Sequence, residues 1–297
     1  MDQVVTLVAP PGRLTPAMAA QARDALATLG ARAGTPDWLS PGEAVDIAFE
    51  DLATDQATAT VRAAVPGADV IAQPAQGRRK QLLLADMDST IVTSETLDEL
   101  AGFAGLKDEI SAITRRAMNG ELDFEGALRA RVGMLKGLSV EALERTWAAT
   151  ELMDGAAELV ATMRANEARC VLVSGGFTFF TSRVAELVGF HEHHSNTLLV
   201  EGGKLTGQVG EPILGRDAKL ATLKRLAAEL GLPLSATLAV GDGANDMAML
   251  GAAGLGVAFR AKPVVAASAR ARVDQCGLRA LLFAQGYREH DIVAAMA

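Results

Sequence analysis

The chain has 297 residues, with 28 Lys plus Arg against 36 Asp plus Glu and a formal net charge of −8, so it lacks the basic footprint that nucleic-acid binding needs. Hydrophobic residues at 49% and charged residues at 22% exclude disorder, and aromatics at 4% leave the core to Ala, Leu and Val. No stretch approaches the ~18 uninterrupted apolar residues of a membrane span.

In chain order, the start MDQVVTLVAPPGR lacks the basic and apolar regions of a signal peptide, which sets a cytoplasmic expectation with no membrane partner. QVVTLV (3–8) reads as a strand, and the Ala-rich run from Pro16 to Leu29 reads as a helix closed by Gly30. Ala44–Phe49 and Thr58–Val61 look like short strands, with Pro66–Val70 as a last element. This order predicts an N-terminal α+β domain over residues 1–75. GADVIAQPAQGRRKQ (67–81) then reads as a polar linker.

Beyond it, Leu82–Ala85, Cys170–Val173 and Thr237–Val240 are continuous apolar runs, the mark of parallel strands buried on both faces. Helical stretches at 156–165 and 218–230 alternate with them. The pattern predicts an α/β fold with a doubly wound parallel sheet, Rossmann-like, over residues 76–93 and 151–297. Residues 94–150 hold helix formers and no convincing strand, and are expected to form a helical cap inserted after the first strand.

Chemistry gathers where those strands end. In Asp86-Met87-Asp88-Ser89-Thr90, an extended backbone turns Asp86 and Asp88 to one side. Two carboxylates that close call for a hard divalent cation, and Mg²⁺ suits oxygen ligands shared with a phosphate. Gly241-Asp242-Gly243-Ala244-Asn245-Asp246 follows another apolar strand and offers further carboxylates. It is no dinucleotide fingerprint, because Asp246 stands where the third glycine would be. Ser174-Gly175-Gly176-Phe177 follows a third strand; a hydroxyl with backbone amides at the start of a helix over 182–187 would cradle a phosphate. Lys219 opens the helix before the Asp242 strand. A single lysine is ordinarily surface charge, but its place between two strand-end motifs points it toward a bound phosphate.

These four segments, in this order, resemble the motifs of the haloacid dehalogenase superfamily. The resemblance narrows in the cap, where ETLDELA (95–101) and FEGALRARV (124–132) are similar to phosphoserine phosphatases, as is the hairpin-like EGGKLTGQVG (201–210). It covers about residues 80–285 and implies a Mg²⁺-dependent hydrolysis of O-phosphoserine. In that scheme Asp86 is the nucleophile that forms an aspartyl-phosphate, and Asp88 is the general acid and base. Mg²⁺ is held by Asp86, Asp88 through its backbone carbonyl, and Asp242, with Asp246 in support. Lys219, Ser174 and the Gly175 amide neutralise the phosphoryl charge. The substrate also carries an ammonium, which suits Glu95, and a carboxylate, which suits Arg131. Asn245 resembles a substrate-contacting residue; Met118 and Phe124 either line the pocket or belong to the cap core.

Other features carry less. His191, His193 and His194 are poorly spaced for one chelate and read as a solvated connection. Cys170 and Cys276 are too few for a disulfide framework, and Cys170 reads as a core thiol. The N-terminal unit resembles an ACT-like domain, for which amino-acid binding, homodimer formation and scaffolding all stay open. Two other activities stand beside phosphoserine hydrolysis: phosphotransfer to another alcohol such as homoserine, and a catalytically silent amino-acid-binding regulator.

Overall fold

The computed structural model describes residues 1–119 and 121–294, without the side chains of Met118 and Arg216. The chain opens with β1 (Gln3–Val8), α1 (Pro16–Thr28), β2 (Arg32–Ala33), β3 (Asp37–Ser40), β4 (Ala44–Glu50), α2 (Thr54–Ala64) and β5 (Asp69–Pro74). Thr15 caps α1 by accepting from Met18 N at 3.3 Å, and Pro16 fills the first turn, where no N–H is needed. The strands form one antiparallel sheet in the order β2-β4-β1-β5, with β3 also on β4.

Two expectations fail here. Residues 58–61 are helix, not strand: Ala57, Thr58 and Val61 bury one face of α2. The run Thr-Ala-Thr-Val has strand-like composition, but its buried positions follow helical spacing. The stretch expected as linker is sheet through Pro74, and Arg78 beyond it is largely buried.

The second sheet is built from β6 (Leu82–Ala85), β7 (Arg169–Phe177), β8 (Glu192–Asn196), β11 (Thr237–Gly241), β12 (Leu255–Phe259) and β13 (Ala271–Val273). All pairs are parallel, in the order β13-β12-β11-β6-β7-β8. Leu82 and Leu84 pack on one side of it, Leu83 and Ala85 on the other, each fully buried. The chain winds outward from β6 to β8, then crosses to β11 and winds the other way. The switch point therefore lies beside β6, where open α/β sheets place their ligands.

Between β6 and β7 come α3 (Thr96–Gly102), α4 (Lys107–Met118), α5 (Phe124–Met134) and α6 (Glu141–Ala148), the expected cap, followed by α7 (Ala156–Ala165). After β7, α8 (Thr178–Val188) packs on the sheet. The hairpin of β9 (Leu198–Glu201) and β10 (Lys204–Val209) turns at Gly202 and Gly203, both with positive φ. It bonds to the cap backbone: Gly137 N donates to Leu205 O, Leu205 N to Leu138 O, and Val140 N to Gly203 O. The remaining helices are α9 (Arg216–Glu229), α10 (Met247–Ala252), α11 (Pro263–Ser268) and α12 (Ala280–Ala284).

The two sheets share a core. Val8, Leu39, Ala44 and Ile71 pack in the same cluster as Leu278 to Ala284. Polar groups seal the contact. Arg78 donates from both Nη atoms to the Asp46 carboxylate, at 2.6 and 3.1 Å, from Nη2 to the carbonyl of Phe283 and from Nε to that of Ala284. The Asp69 carboxylate accepts from the amides of Asp274, Gln275 and Cys276 at 2.8–3.2 Å. Among the described residues no helix is long and apolar enough to cross a membrane.

Candidate active site

The carboxyl ends of β6, β7 and β11 lie side by side, so the loops after them converge. Asp86 follows β6, Asp242 follows β11, and Asp246 stands just before α10. Their carboxylate oxygens lie within 4.8 Å of one another, all buried. Lys219, in the first turn of α9, puts Nζ 2.7 Å from Asp86 Oδ1 and 2.6 Å from Asp246 Oδ1. It is 1% exposed, so it is not surface charge. Asp246 Oδ2 also accepts from Gly243 N at 3.0 Å, which folds the loop over itself. A Cβ at Gly241 would strike the Asp246 carboxylate, so this turn requires glycine.

Burial raises Asp86 well above the usual carboxylate range, and the neighbouring Asp246 adds to it against the pull of Lys219. Burial, then Asp246, pushes Asp242 up to about 6. Burial alone would lower Lys219, but Asp246 and Asp86 together hold its ammonium above the ordinary lysine range. Neither oxygen of Asp242 accepts a hydrogen bond, although both are buried. Lys262, in the loop after β12, brings Nζ to 3.1 Å from Asp242 Oδ2 without bonding geometry. A cluster of buried carboxylates with unsatisfied oxygens fits a hard divalent cation. Asp88 lies outside this cluster by its side chain; its Oδ1 accepts from Thr96 N at 2.9 Å, at the start of α3.

Asp86, Asp88, Glu95, Phe124, Arg131, Ser174, Gly175 and Asn245 line one cavity of about 50 Å³ between the sheet edge and the cap. Glu95 immediately precedes α3 without its side chain bonding to the helix backbone, and Ser89 Oγ donates to its Oε1 at 2.6 Å. Burial, then the charges of Asp88 and Asp242, push Glu95 up to about 8. Arg131 is 7% exposed, with Nε donating to Ala127 O and Nη1 to Thr114 Oγ1. Phe124 leans on the core: a Cβ at Gly175 would come within 2.7 Å of its ring. Phe124 thus lines the cavity, while the side chain of Met118 is outside the described ones.

The Ser174 segment differs from expectation. β7 continues through Phe177, and α8 begins only at Thr178, so Gly175 and Gly176 are strand residues and not a helix N-terminus. Ser174 Oγ accepts from Gly176 N at 2.8 Å. A Cβ at Gly176 would stand 2.9 Å from Asp88 Oδ2, so the glycine lets the carboxylate approach. The histidines are also placed otherwise: His193 and His194 lie on β8, an edge strand, and His191 Nδ1 accepts from Cys170 N. Burial pushes the Cys170 thiol up to about 12, in keeping with a core residue.

Sequence reasoning passed over Lys262, Asp98 and Thr114. Lys262 had one signal, its place after a strand of the same sheet edge. Asp98 and Thr114, both buried, had none, because a polar residue on a helix ordinarily faces solvent.

The chain belongs to the haloacid dehalogenase-like hydrolases: that family's profile matches residues 83–251, more than half of the chain. Among relatives, a phosphoserine phosphatase of Streptomyces coelicolor is 40% identical over 259 residues, 86% of this chain and 63% of that protein. The chain spans roughly 60–65% of the length of the first such relatives it matches. Two solved structures are close in shape. A phospho-aspartyl intermediate analogue of phosphoserine phosphatase superposes with a TM-score of 0.66 at 40% identity, covering 69% of this chain and 98% of that one. A probable phosphoserine phosphatase from Vibrio cholerae gives 0.74 at 33% identity, covering 99% and 90%.

Proposed function

We propose that this protein is a Mg²⁺-dependent phosphoserine phosphatase, cleaving O-phospho-L-serine to serine and phosphate in the cytoplasm. One observation carries the reading. One small cavity is lined by Asp86, whose carboxylate belongs to the buried cluster with Lys219, Asp242 and Asp246, and by a carboxylate, Glu95, and a guanidinium, Arg131. Those two suit the ammonium and carboxylate of the substrate, and the cluster suits its phosphate. Relatives named for this activity add support.

In the reaction, an Asp86 carboxylate oxygen attacks phosphorus, and the bond from phosphorus to the serine oxygen breaks. Asp88 gives its proton to that oxygen, then takes one from the water that hydrolyses the aspartyl-phosphate. Burial raises Asp88, which favours the protonated form that this first step needs. Lys219 orients Asp86 and offsets phosphoryl charge. Mg²⁺ would be held by Asp86 and Asp242, with the Asp88 carbonyl and Asp246 assisting, and would neutralise the transferring group's charge. Ser174 and the Gly175 amide are read as phosphoryl donors, and Asn245 as a substrate contact. Glu95, raised by burial and by the charges of Asp88 and Asp242, is held as an anion when an ammonium docks beside it.

The reading also divides the chain into a core (76–93 and 151–297), a cap (94–150) and an N-terminal domain (1–75). The last is read as ACT-like on its order of a strand, a helix, three strands, a helix and a strand. The test is phosphate release from phosphoserine, phosphothreonine, phosphoethanolamine and p-nitrophenyl phosphate, with Mg²⁺ and with chelator. Phosphoserine should have the highest kcat/KM, and chelator should abolish turnover. Equal rates on all four esters would overturn the assignment.

A further inference from the structure

Arg131 is a buried cation with an unusual partner. Its Nη1 donates to Thr114 Oγ1 at 2.9 Å, and Thr114 Oγ1 donates in turn to Asp98 Oδ1 at 2.6 Å. Thr114 is 2% exposed and Asp98 8%. A hydroxyl has one proton to give. The 2.6 Å contact to a carboxylate outcompetes the 3.0 Å contact to Ile110 O, so Thr114 relays between guanidinium and anion. Among the described hydrogen bonds, Arg131 uses only Nε and Nη1, and leaves Nη2 without a protein acceptor.

The arrangement has a chemical consequence. A carboxylate paired directly with an arginine usually takes two of its N–H groups bidentately, which, with Nε already bonded to Ala127 O, would occupy the edge a ligand carboxylate needs. Placing a hydroxyl between them lets Asp98 offset the cost of burying the cation while the fork stays open. The three residues come from α3, α4 and α5, so the angle of the guanidinium is set by how the cap helices pack. Glu95 immediately precedes α3, three residues before Asp98, so both ends of a zwitterionic ligand are referred to one helix.

We propose that Asp98 and Thr114 are positioning residues that aim Arg131 at the substrate carboxylate through the chain Arg131 Nη1, Thr114 Oγ1, Asp98 Oδ1; the proposal rests on the phosphoserine reading. The test compares phosphoserine with phosphoethanolamine, which keeps the ammonium and phosphate but lacks the carboxylate. Thr114→Val removes the hydroxyl at nearly constant volume. It should raise KM for phosphoserine roughly tenfold or more, as expected for one lost charge-assisted hydrogen bond, with kcat within about twofold. KM for phosphoethanolamine should not move, and Thr114→Ser should restore phosphoserine binding. Equal losses on both substrates, no change on either, or failure of Thr114→Ser to rescue would overturn the relay.

A second measurement separates the relay from the substrate reading. The Arg131 Nε–H resonance, identified by its loss in Arg131→Lys, should be sharp in the wild type and averaged in Thr114→Val. If the wild type does not prefer phosphoserine over phosphoethanolamine, the substrate reading falls, and this resonance alone judges the relay. An Arg131 signal identical in both proteins would overturn it.

Discussion

On the core side of the cavity, Lys219 meets the carboxylates of Asp86 and Asp246 directly, Asp242 faces Lys262, and the clustered carboxylates still carry excess negative charge. On the cap side, Glu95 and Arg131 each meet a hydroxyl, Ser89 at 2.6 Å and Thr114 at 2.9 Å, and neither meets an opposite charge at bonding distance. The two halves of the site therefore handle buried charge in opposite ways. The core half sets fixed charge against fixed charge and leaves a surplus of negative charge that fits a divalent cation. The cap half is left incomplete, and in the proposed function a ligand carrying both an ammonium and a carboxylate supplies the missing partners. The proposed function thus puts chemistry and selectivity on different elements, and they should be separable by mutation.

The largest separation comes from Asp86→Asn, which keeps the shape of the core half and removes the nucleophile. Phosphate release should fall by at least ~10³-fold on phosphoserine and on p-nitrophenyl phosphate alike, as for loss of a covalent nucleophile. Activity within tenfold of wild type on either ester would break the assignment.

Lys219→Met tests whether the core half balances its own charge. Turnover should drop ~10²–10³-fold, the usual cost of one preorganised transition-state contact. Asp86, Asp242 and Asp246 would then face one another without the ammonium. The metal-free variant should melt below the wild type and gain more in Tm on adding Mg²⁺ than the wild type does. An equal Mg²⁺-induced shift in both proteins would show that Lys219 does not compensate the cluster.

Arg131→Ala addresses the cap half. It should cost phosphoserine about 2–5 kcal/mol in kcat/KM, the range for a truncated buried charge contact. The same variant should spare p-nitrophenyl phosphate, which has no carboxylate to grip. Parallel losses on the two esters would mean that cap and core are not separable in this way.

How much of this division is legible in the sequence follows from where the signals lie. The core half announces itself because Asp86, Ser174 and Asp242 each directly follow an apolar run, and strand ends are where open sheets expose side chains. Glu95 just before α3 and Arg131 on α5 lie in helical segments, where periodicity says nothing of chemistry, and only the resemblance of the surrounding cap segments picks them out. Thr114 and Asp98 escape notice because their burial is created by contacts between helices. The Thr-Ala-Thr-Val run of α2 is misread for a related reason: β-branched composition is a weak local preference, and packing of Ala57, Thr58 and Val61 against the sheet overrides it. The supposed linker shows the same effect, since its polar Gln73 and Arg78 are buried by partners more than two hundred residues away.

That last contact yields the prediction with the smallest effect on catalysis. Arg78 and Asp46 are a nearly buried pair, their side chains 13% and 10% exposed, and Thr6 Oγ1 contacts both. Arg78→Ala would leave the Asp46 carboxylate without its cation and free the carbonyls of Phe283 and Ala284 of one donor each. Removing one partner of a buried pair typically costs about 3–5 kcal/mol. Stability in urea should therefore fall by an amount in that range, while kcat/KM for phosphoserine at 25 °C stays within twofold, because no residue of the cavity touches this contact. Arg78→Met, which keeps the aliphatic stem and drops the charge, should lose as much if the ion pair is what matters, and much less if packing of the stem dominates. A variant of unchanged stability would show that the polar seal between the sheets is incidental and that the shared apolar core alone joins them. A variant of wild-type stability lost only in turnover would show instead that the N-terminal sheet shapes the active site.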